Sequence, residues 1–291
     1  MRRPFLFVSI LCTLVFLSAC TEKHNTTGRP ETVIPQWLEL PATSASDGLD
    51  FFSRSCNLNG KALRNYSYYW DYSSRVSHWV AYPLCSDYLG NSGRSEAWGY
   101  DPLLPAAKQS NVSGGFKEGN NGWYARGHQL PSEDRTANDI LNATTFYGTN
   151  IVPMDNDFNG GVWYTLEKRV RSWALASDTL YVVTGCVVEG AKYYVYDRSN
   201  EKITAPTAFF KAVLRYTKDV TSGHNGFMGA AFWYNHEGYP QTFSKKESMS
   251  IADLENKLGY ELFVNLPKVA GQDVAANIKE EKPDTNSWWW Q

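Results

Sequence analysis

The sequence lacks a surplus of positive charge. Its 28 Lys and Arg face 30 Asp and Glu in 291 residues, a formal net charge of −2. A polyanion would have to be met by a local patch, not by a generally basic surface. Cysteine is scarce, at five residues. There is no serine nucleophile elbow, no P-loop and no H-E-x-x-H, so the signatures of serine hydrolases, P-loop NTPases and zincins are absent. There is no internal repeat. The longest apolar run, Phe5 to Leu17, is too short to span a bilayer.

That run reads instead as an export signal. Arg2 and Arg3 precede it, and Leu17-Ser18-Ala19-Cys20 follows. Small residues before a cysteine look like a bacterial lipoprotein signal, with Cys20 carrying lipid; an ordinary secretory signal is the alternative. Either way the protein is expected to be exported, and lipid on Cys20 would tether it to the membrane, on the periplasmic side or at the cell surface. Removing residues 1–19 takes away two of the 28 basic residues and no acid, leaving 26 against 30 and a net charge of −4. Cys56, Cys85 and Cys186 then remain in an oxidising compartment, enough for one disulfide and a free thiol. Cys56–Cys85 is the nearest pair in sequence, and no disulfide at all is an equal alternative.

The mature chain is large enough for one sizeable core. Aromatic residues make up 15% of it, which suits sheets and also sugar or base stacking. Residues 21–44 are polar without apolar period and read as a tether. Asn65 to Tyr72 and Ser77 to Leu84 read as a hairpin. Gly90 to Gly122 reads as a long functional loop. Short strands are expected at Trp123 to Gln129 and Phe146 to Val152. A helix is expected from about Gly160 to Ala176, capped within Asp155 to Asn159, with Val162, Leu166, Val170 and Trp173 as its apolar face. Strands at Thr179 to Thr184, Ala208 to Tyr216 and Gly229 to Tyr234 follow, then a short helix at Ser250 to Leu258 with Ser248 or Ser250 as cap. Lys279 onward is a charged tail ending in Trp288-Trp289-Trp290, either packed on the domain or disordered. The pattern is α+β with a mostly antiparallel central sheet.

The chemistry lies in one stretch. Asn159, Trp163, Glu167 and Arg171 recur every four residues, which on a helix keeps them near one face. Upstream stands Arg126-Gly127-His128: a phosphate contact, a glycine that permits an unusual backbone angle or a close approach, and a base that works near neutral pH. An amide oxygen and a carboxylate suffice for Mg²⁺, which keeps much of its own water. Blander readings exist. Asn159 can be a helix cap, Glu167 and Arg171 a surface ion pair, and His128 a structural residue. Lys168, Arg169 and Lys211 either extend a basic track or form a solvated face. His24, His78, His224 and His236 lack such partners and read as structural. A sharper rival is a calcium loop, since Asp155-Asn156-Asp157-Phe158-Asn159-Gly160 fits its first half. Its twelfth place, however, is Leu166, and Glu167 falls one residue late.

The motifs resemble those of the DNA/RNA non-specific endonucleases of the ββα-metal superfamily, among them bacterial secreted nucleases and mitochondrial endonuclease G. That family carries D-R-G-H, F-Y-x-x-N-x-x-P-Q and L-N-x-x-x-W-x-x-L-E. Here the stretches read Ala125-Arg126-Gly127-His128, Phe146-Tyr147 through Asn150 to Pro153-Met154, and Phe158-Asn159 through Trp163 to Leu166-Glu167. Trp79-Val80-Ala81-Tyr82, Asp101-Pro102, Thr184-Gly185 and Pro206-Thr207-Ala208-Phe209-Phe210-Lys211 extend the likeness, which covers roughly residues 65–266. Ala125 and Met154 depart from it, standing where the family has aspartate and glutamine.

The resemblance implies a ββα-metal finger carrying the site. His128 aligns with the general base, Asn159 with the Mg²⁺ ligand and Glu167 with the acid that anchors the metal's water. Arg171 and Arg126 align with phosphate-contacting arginines, Asn150 with a supporting asparagine, and Arg94, more loosely, with a further arginine. It implies a Mg²⁺-dependent (or Mn²⁺-dependent) endonuclease of DNA and RNA that leaves 5′-phosphate ends, over a domain at 45–272 between the tether and a tail at 273–291. The alternative is a non-catalytic polyanion- or glycan-binding lipoprotein with a degenerate nuclease fold.

Overall fold

A computed structural model describes residues 37–44, 48–219 and 226–291. The export signal, Cys20, the tether up to residue 36, His24 and His224 lie outside the described residues. Among the described residues no helix is long and apolar enough to cross a membrane.

Eleven strands are described: β1 (Leu49–Leu58), β2 (Lys61–Asp71), β3 (Val76–Leu84), β4 (Ala125–His128), β5 (Ile151–Met154), β6 (Thr179–Val187), β7 (Tyr194–Tyr196), β8 (Lys202–Thr204), β9 (Ala208–Tyr216), β10 (Phe227–Asn235) and β11 (Ser248–Met249). Seven form one antiparallel sheet in the order β1-β2-β3-β6-β9-β10-β11. β4 and β5 make a separate antiparallel ribbon, as do β7 and β8. The hairpin expected from Asn65 to Leu84 gains β1 ahead of it. The β1–β2 turn is Asn59-Gly60, with φ of 53° and 77°. That pair of positive angles gives a two-residue turn the twist its strands need.

Period-two alternation sorts the sheet into two faces. On one, Val80, Tyr82, Leu180, Val182, Phe209, Val213, Phe232 and Tyr234 pack under the ribbon β4–β5 and the helix that follows it. On the other, Trp79, Ala81, Val183, Phe210, Ala212 and Leu214 pack against later helices. The helices are α1 (Asp139–Ala143), α2 (Asn156–Phe158), α3 (Tyr164–Leu175), α4 (Ile251–Leu258), α5 (Leu266–Ala270) and α6 (Gln272–Glu280). Ser250 caps α4, accepting the Asp253 N–H at 3.0 Å. At Gly229 a Cβ would meet Ile251 Cδ1 at 2.6 Å and the Ile278 carbonyl at 2.9 Å, so this glycine lets α4 and α6 approach β10.

One expectation is corrected, and two open ones are decided. The end of the stretch read as tether is docked. Leu40 is fully buried, its carbonyl accepts the Val264 N–H at 3.1 Å, and Glu39 pairs with Arg64 at 2.7 Å. Trp37, Leu38 and Leu40 are too short a run to show a period. The end of the chain is packed on the domain, the first of its two alternatives. Ala275 and Ile278 of α6 are buried against the sheet, and Trp289 is fully buried with its ring 5.1 Å from Trp173 of α3. Finally, Cys56, Cys85 and Cys186 are all free thiols. Cys56 lies on β1 and Cys85 just past β3, with β2 between them. Two strand spacings put them about 10 Å apart, beyond the reach of a disulfide.

Candidate active site

The ribbon and the following helix form a ββα unit. In β4, Arg126 and His128 project to one side and Gly127 to the other. Gly127 does not adopt a left-handed backbone. A Cβ there would lie 2.3 Å from the Met154 side chain across the ribbon, so close approach is what requires the glycine. Ala125 pairs with Met154, so both departures from the family pattern sit at one ribbon position.

His128 is wedged among aromatic rings, 5.4 Å from Trp98 and 5.0 Å from Phe146. Arg126 lies flat on Trp98, 3.6 Å from the ring centroid, and donates to the Val112 carbonyl at 2.9 Å. Arg94 covers Phe146 at 4.8 Å, pairs with Glu96 and donates to Ser132 Oγ at 3.0 Å. Burial, followed by the charges of Arg94 and Arg126, pushes the His128 imidazole down to about 3. Its Nε2 is buried and has no hydrogen-bond partner among the described residues.

Asn150 is fully buried. Its Oδ1 accepts the Leu130 N–H at 2.8 Å, and its Nδ2 donates to the carbonyls of Leu130 at 2.9 Å and Thr145 at 2.8 Å. An amide so occupied fixes the chain just beyond His128 and leaves little capacity for a reacting group.

The helix begins earlier than expected. Asp155 caps it, accepting the N–H groups of Asp157 and Phe158 at 3.0 Å, and also takes the Tyr239 hydroxyl. This occupies the first acid of the candidate calcium loop in capping and makes that stretch helical. Among the described residues no cluster of three or more His, Cys, Asp or Glu could hold a metal. Between α2 and α3 runs a π turn, Asn159–Trp163, with Gly161 at φ −102° and ψ −108°. The wider turn breaks the four-residue stripe. Trp163 is not displayed beside Asn159 but fully buried, packed on Phe158 and Phe209.

Glu167 and Arg171 are half-buried on α3. Arg171 is bound to the turn Ser132–Asp134, at 3.0 Å from Asp134 and in an ion pair with Glu133. The same turn receives Arg94 through Ser132, so it ties the two arginines together. Lys211 is neither a basic track nor a solvated face. It is fully buried, donates to Thr184 Oγ1 at 2.6 Å and lies 4.7 Å from the Trp163 ring centroid. Arg169 donates to the Gln291 carbonyl at 2.7 Å, and Lys168 lies over Tyr164. Burial raises the Glu167 carboxyl, and the Lys211 ammonium opposes that rise. Burial lowers Lys211, opposed by the Glu167 charge.

Three groups on this unit with base or metal-ligand chemistry are unengaged. His128 Nε2 has no partner, and neither the Asn159 carboxamide nor the Glu167 carboxylate makes a hydrogen bond or ion pair among the described residues. The two other described histidines are engaged. His236 accepts the Asp155 N–H at 2.8 Å on Nε2 and holds the Pro206 carbonyl at 2.7 Å through Nδ1, and His78 lies 3.1 Å from Asp71. A neutral base with an amide oxygen and a carboxylate fits a hard cation such as Mg²⁺. A cleft of about 440 Å³ lies at the far end of the ribbon, lined by Tyr124, Asp155, Tyr193, His236 and Tyr239. It contains none of the three unengaged groups.

The sequence motifs pointed to the finger but not to the Ser132–Asp134 turn, to the Trp98 platform or to the burial of Lys211. The last was legible. Phe209, Lys211 and Val213 alternate onto the inner face of β9.

Known proteins match this architecture. The model of the DNA/RNA non-specific endonuclease family matches residues 47–269. A nuclease from a Nostoc species is 36% identical over 120 residues, 41% of this chain and 43% of that protein. Mitochondrial nuclease EXOG from Danio rerio is 27% identical over 213 residues, 68% of this chain and 59% of that protein. Mitochondrial endonuclease G from Caenorhabditis elegans is 26% identical over 200 residues, 64% of this chain and 63% of that protein. The chain thus spans less than two thirds of each of these relatives. A crystal structure of the EndoG/EndoGI complex shares the fold, with a TM-score of 0.57 and 18% identity over 71% of this chain and 86% of that one. With a family match over most of its length and the finger's motifs in place, the chain belongs to the DNA/RNA non-specific endonucleases.

Proposed function

We propose that the protein is a divalent-metal-dependent endonuclease that hydrolyses phosphodiester bonds in both DNA and RNA and leaves 5′-phosphate ends. The observation that carries this reading is the set of three unengaged groups, His128 Nε2, Asn159 and Glu167, on one ββα unit. Asn159 and Glu167 would hold Mg²⁺ or Mn²⁺, which when bound supplies positive charge at the phosphodiester. His128 Nε2, neutral and without a partner, takes the proton from the attacking water. Arg126, held flat by Trp98, and Arg171, aimed by Asp134, offset the charge growing on the phosphate oxygens. Asn150 keeps the His128 strand end in place. These contacts address the backbone and not base edges, so sequence preference is weak.

We further propose export and lipid attachment at Cys20, which would present the domain on the periplasmic or outer side of a bacterial membrane. The test is digestion of supercoiled plasmid and of RNA with Mg²⁺ and with EDTA. Both substrates should be cut with Mg²⁺ and neither with EDTA. Binding of either polymer without cutting, under Mg²⁺ and Mn²⁺ alike, would leave only the polyanion-binding alternative.

A further inference from the structure

Arg171 holds two acids of opposite kind. Asp134 is fully buried, accepts the Tyr82 hydroxyl at 3.0 Å as well, and cannot leave without stranding a charge. Glu133 is 53% exposed, and Arg171 is its one hydrogen-bond and ion-pair partner among the described residues. Glu96, beside Arg94, is as exposed but is also held by the Trp98 indole at 2.6 Å. Glu133 is thus the loosest carboxylate on a site arginine. It occupies an N–H edge of Arg171, the type of edge a phosphate oxygen takes.

We infer that Glu133 is an exchangeable counterion that occupies Arg171 until a substrate phosphate displaces it, and so sets the affinity for nucleic acid. This rests on the endonuclease reading above. Asp134 keeps the guanidinium aimed throughout, and Glu133 swings into water when phosphate arrives. An exposed ion pair is weak, so the exchange costs little. It also changes the salt response. Phosphate binding to a masked arginine frees a glutamate that gathers its own cations, and this cancels part of the ion release that normally drives binding.

The test measures binding of a fluorescent single-stranded oligonucleotide to His128→Ala protein, by anisotropy from 50 to 300 mM NaCl. Adding Glu133→Gln should tighten Kd by about two- to five-fold at low salt, and should steepen the slope of log K against log salt by about 0.7. Glu133→Asp, which keeps the charge, should stay near the parent. Glu201→Gln removes an equally exposed carboxylate (53%) that pairs with Arg75, and should leave both quantities unchanged. In proteins that retain His128, KM of the Glu133→Gln variant should fall in step with Kd. Unchanged or weaker binding by Glu133→Gln overturns the inference while plasmid cutting by the wild type leaves the endonuclease reading intact. No cutting by the wild type is the separate failure of that reading.

Discussion

At the residue scale, the candidate site is marked by base and ligand groups left without partners. His128, Asn159 and Glu167 were legible as residue types at family spacings. Asn150 was legible as a supporting asparagine, but its partners Leu130 and Thr145 were not, because they are set by tertiary structure. His128 also makes stability depend on pH. Its folded pKa, about 3, lies below the ordinary 6.5, so the unfolded chain takes up the proton more readily. The stabilisation is fully present above 6.5 and is lost as pH falls toward 3, by about 1.4 kcal/mol per unit. The raised carboxyl of Glu167 has the opposite sign, losing stability as pH rises above 4.5. Comparison with His128→Asn cancels that contribution. In metal-free urea unfolding from pH 4.5 to 6.5, the stability gap between wild type and His128→Asn should widen with pH by about 1.4 kcal/mol per unit. Parallel curves would contradict the desolvated, arginine-flanked placement of His128.

At the element scale, the helix carrying Asn159 and Glu167 is held from three sides. Asp155 caps it, the sheet packs beneath it, and the chain end covers its last turns. Apolar period gave its inner face correctly, since Val162, Leu166, Val170 and Trp173 are all buried. The π turn was not legible. Gly160-Gly161 permits it, but no periodicity announces one wide turn, and Trp163 is therefore displaced from the stripe into the core. The chain end stayed open between packed and disordered because its charged composition hides a deep anchor. Trp289 stacks edge-on against Trp173, and Trp290 lies 5.5 Å from Phe243 with its indole donating to the Pro283 carbonyl at 2.6 Å. Trp289→Ala should destabilise the protein by about 3 kcal/mol, read as a lower urea midpoint. A midpoint equal to wild type would show that the segment is not part of the fold.

At the scale of the whole molecule, the sheet is a frame and the chemistry an insertion. β3 and β6 are neighbours in the sheet, yet residues 85–178, which contain the ribbon, the π turn and every site residue, lie between them in sequence. The antiparallel α+β class followed from the strand patterns. The strand order did not, because pairing across so long a connection leaves no local trace. This arrangement lets the frame tolerate loss of the site groups, so their variants should fold and fail only in chemistry. The most direct measurement is the rate of plasmid cutting under Mg²⁺ for His128→Ala, Asn159→Ala and Glu167→Gln, set against His236→Ala and Asp155→Ala, all checked for folding. Each of the first three should lose about 100-fold or more, while folded His236→Ala and Asp155→Ala stay within about ten-fold of wild type. Retained cutting by folded His128→Ala or Asn159→Ala, or a loss led by Asp155→Ala, would contradict the account.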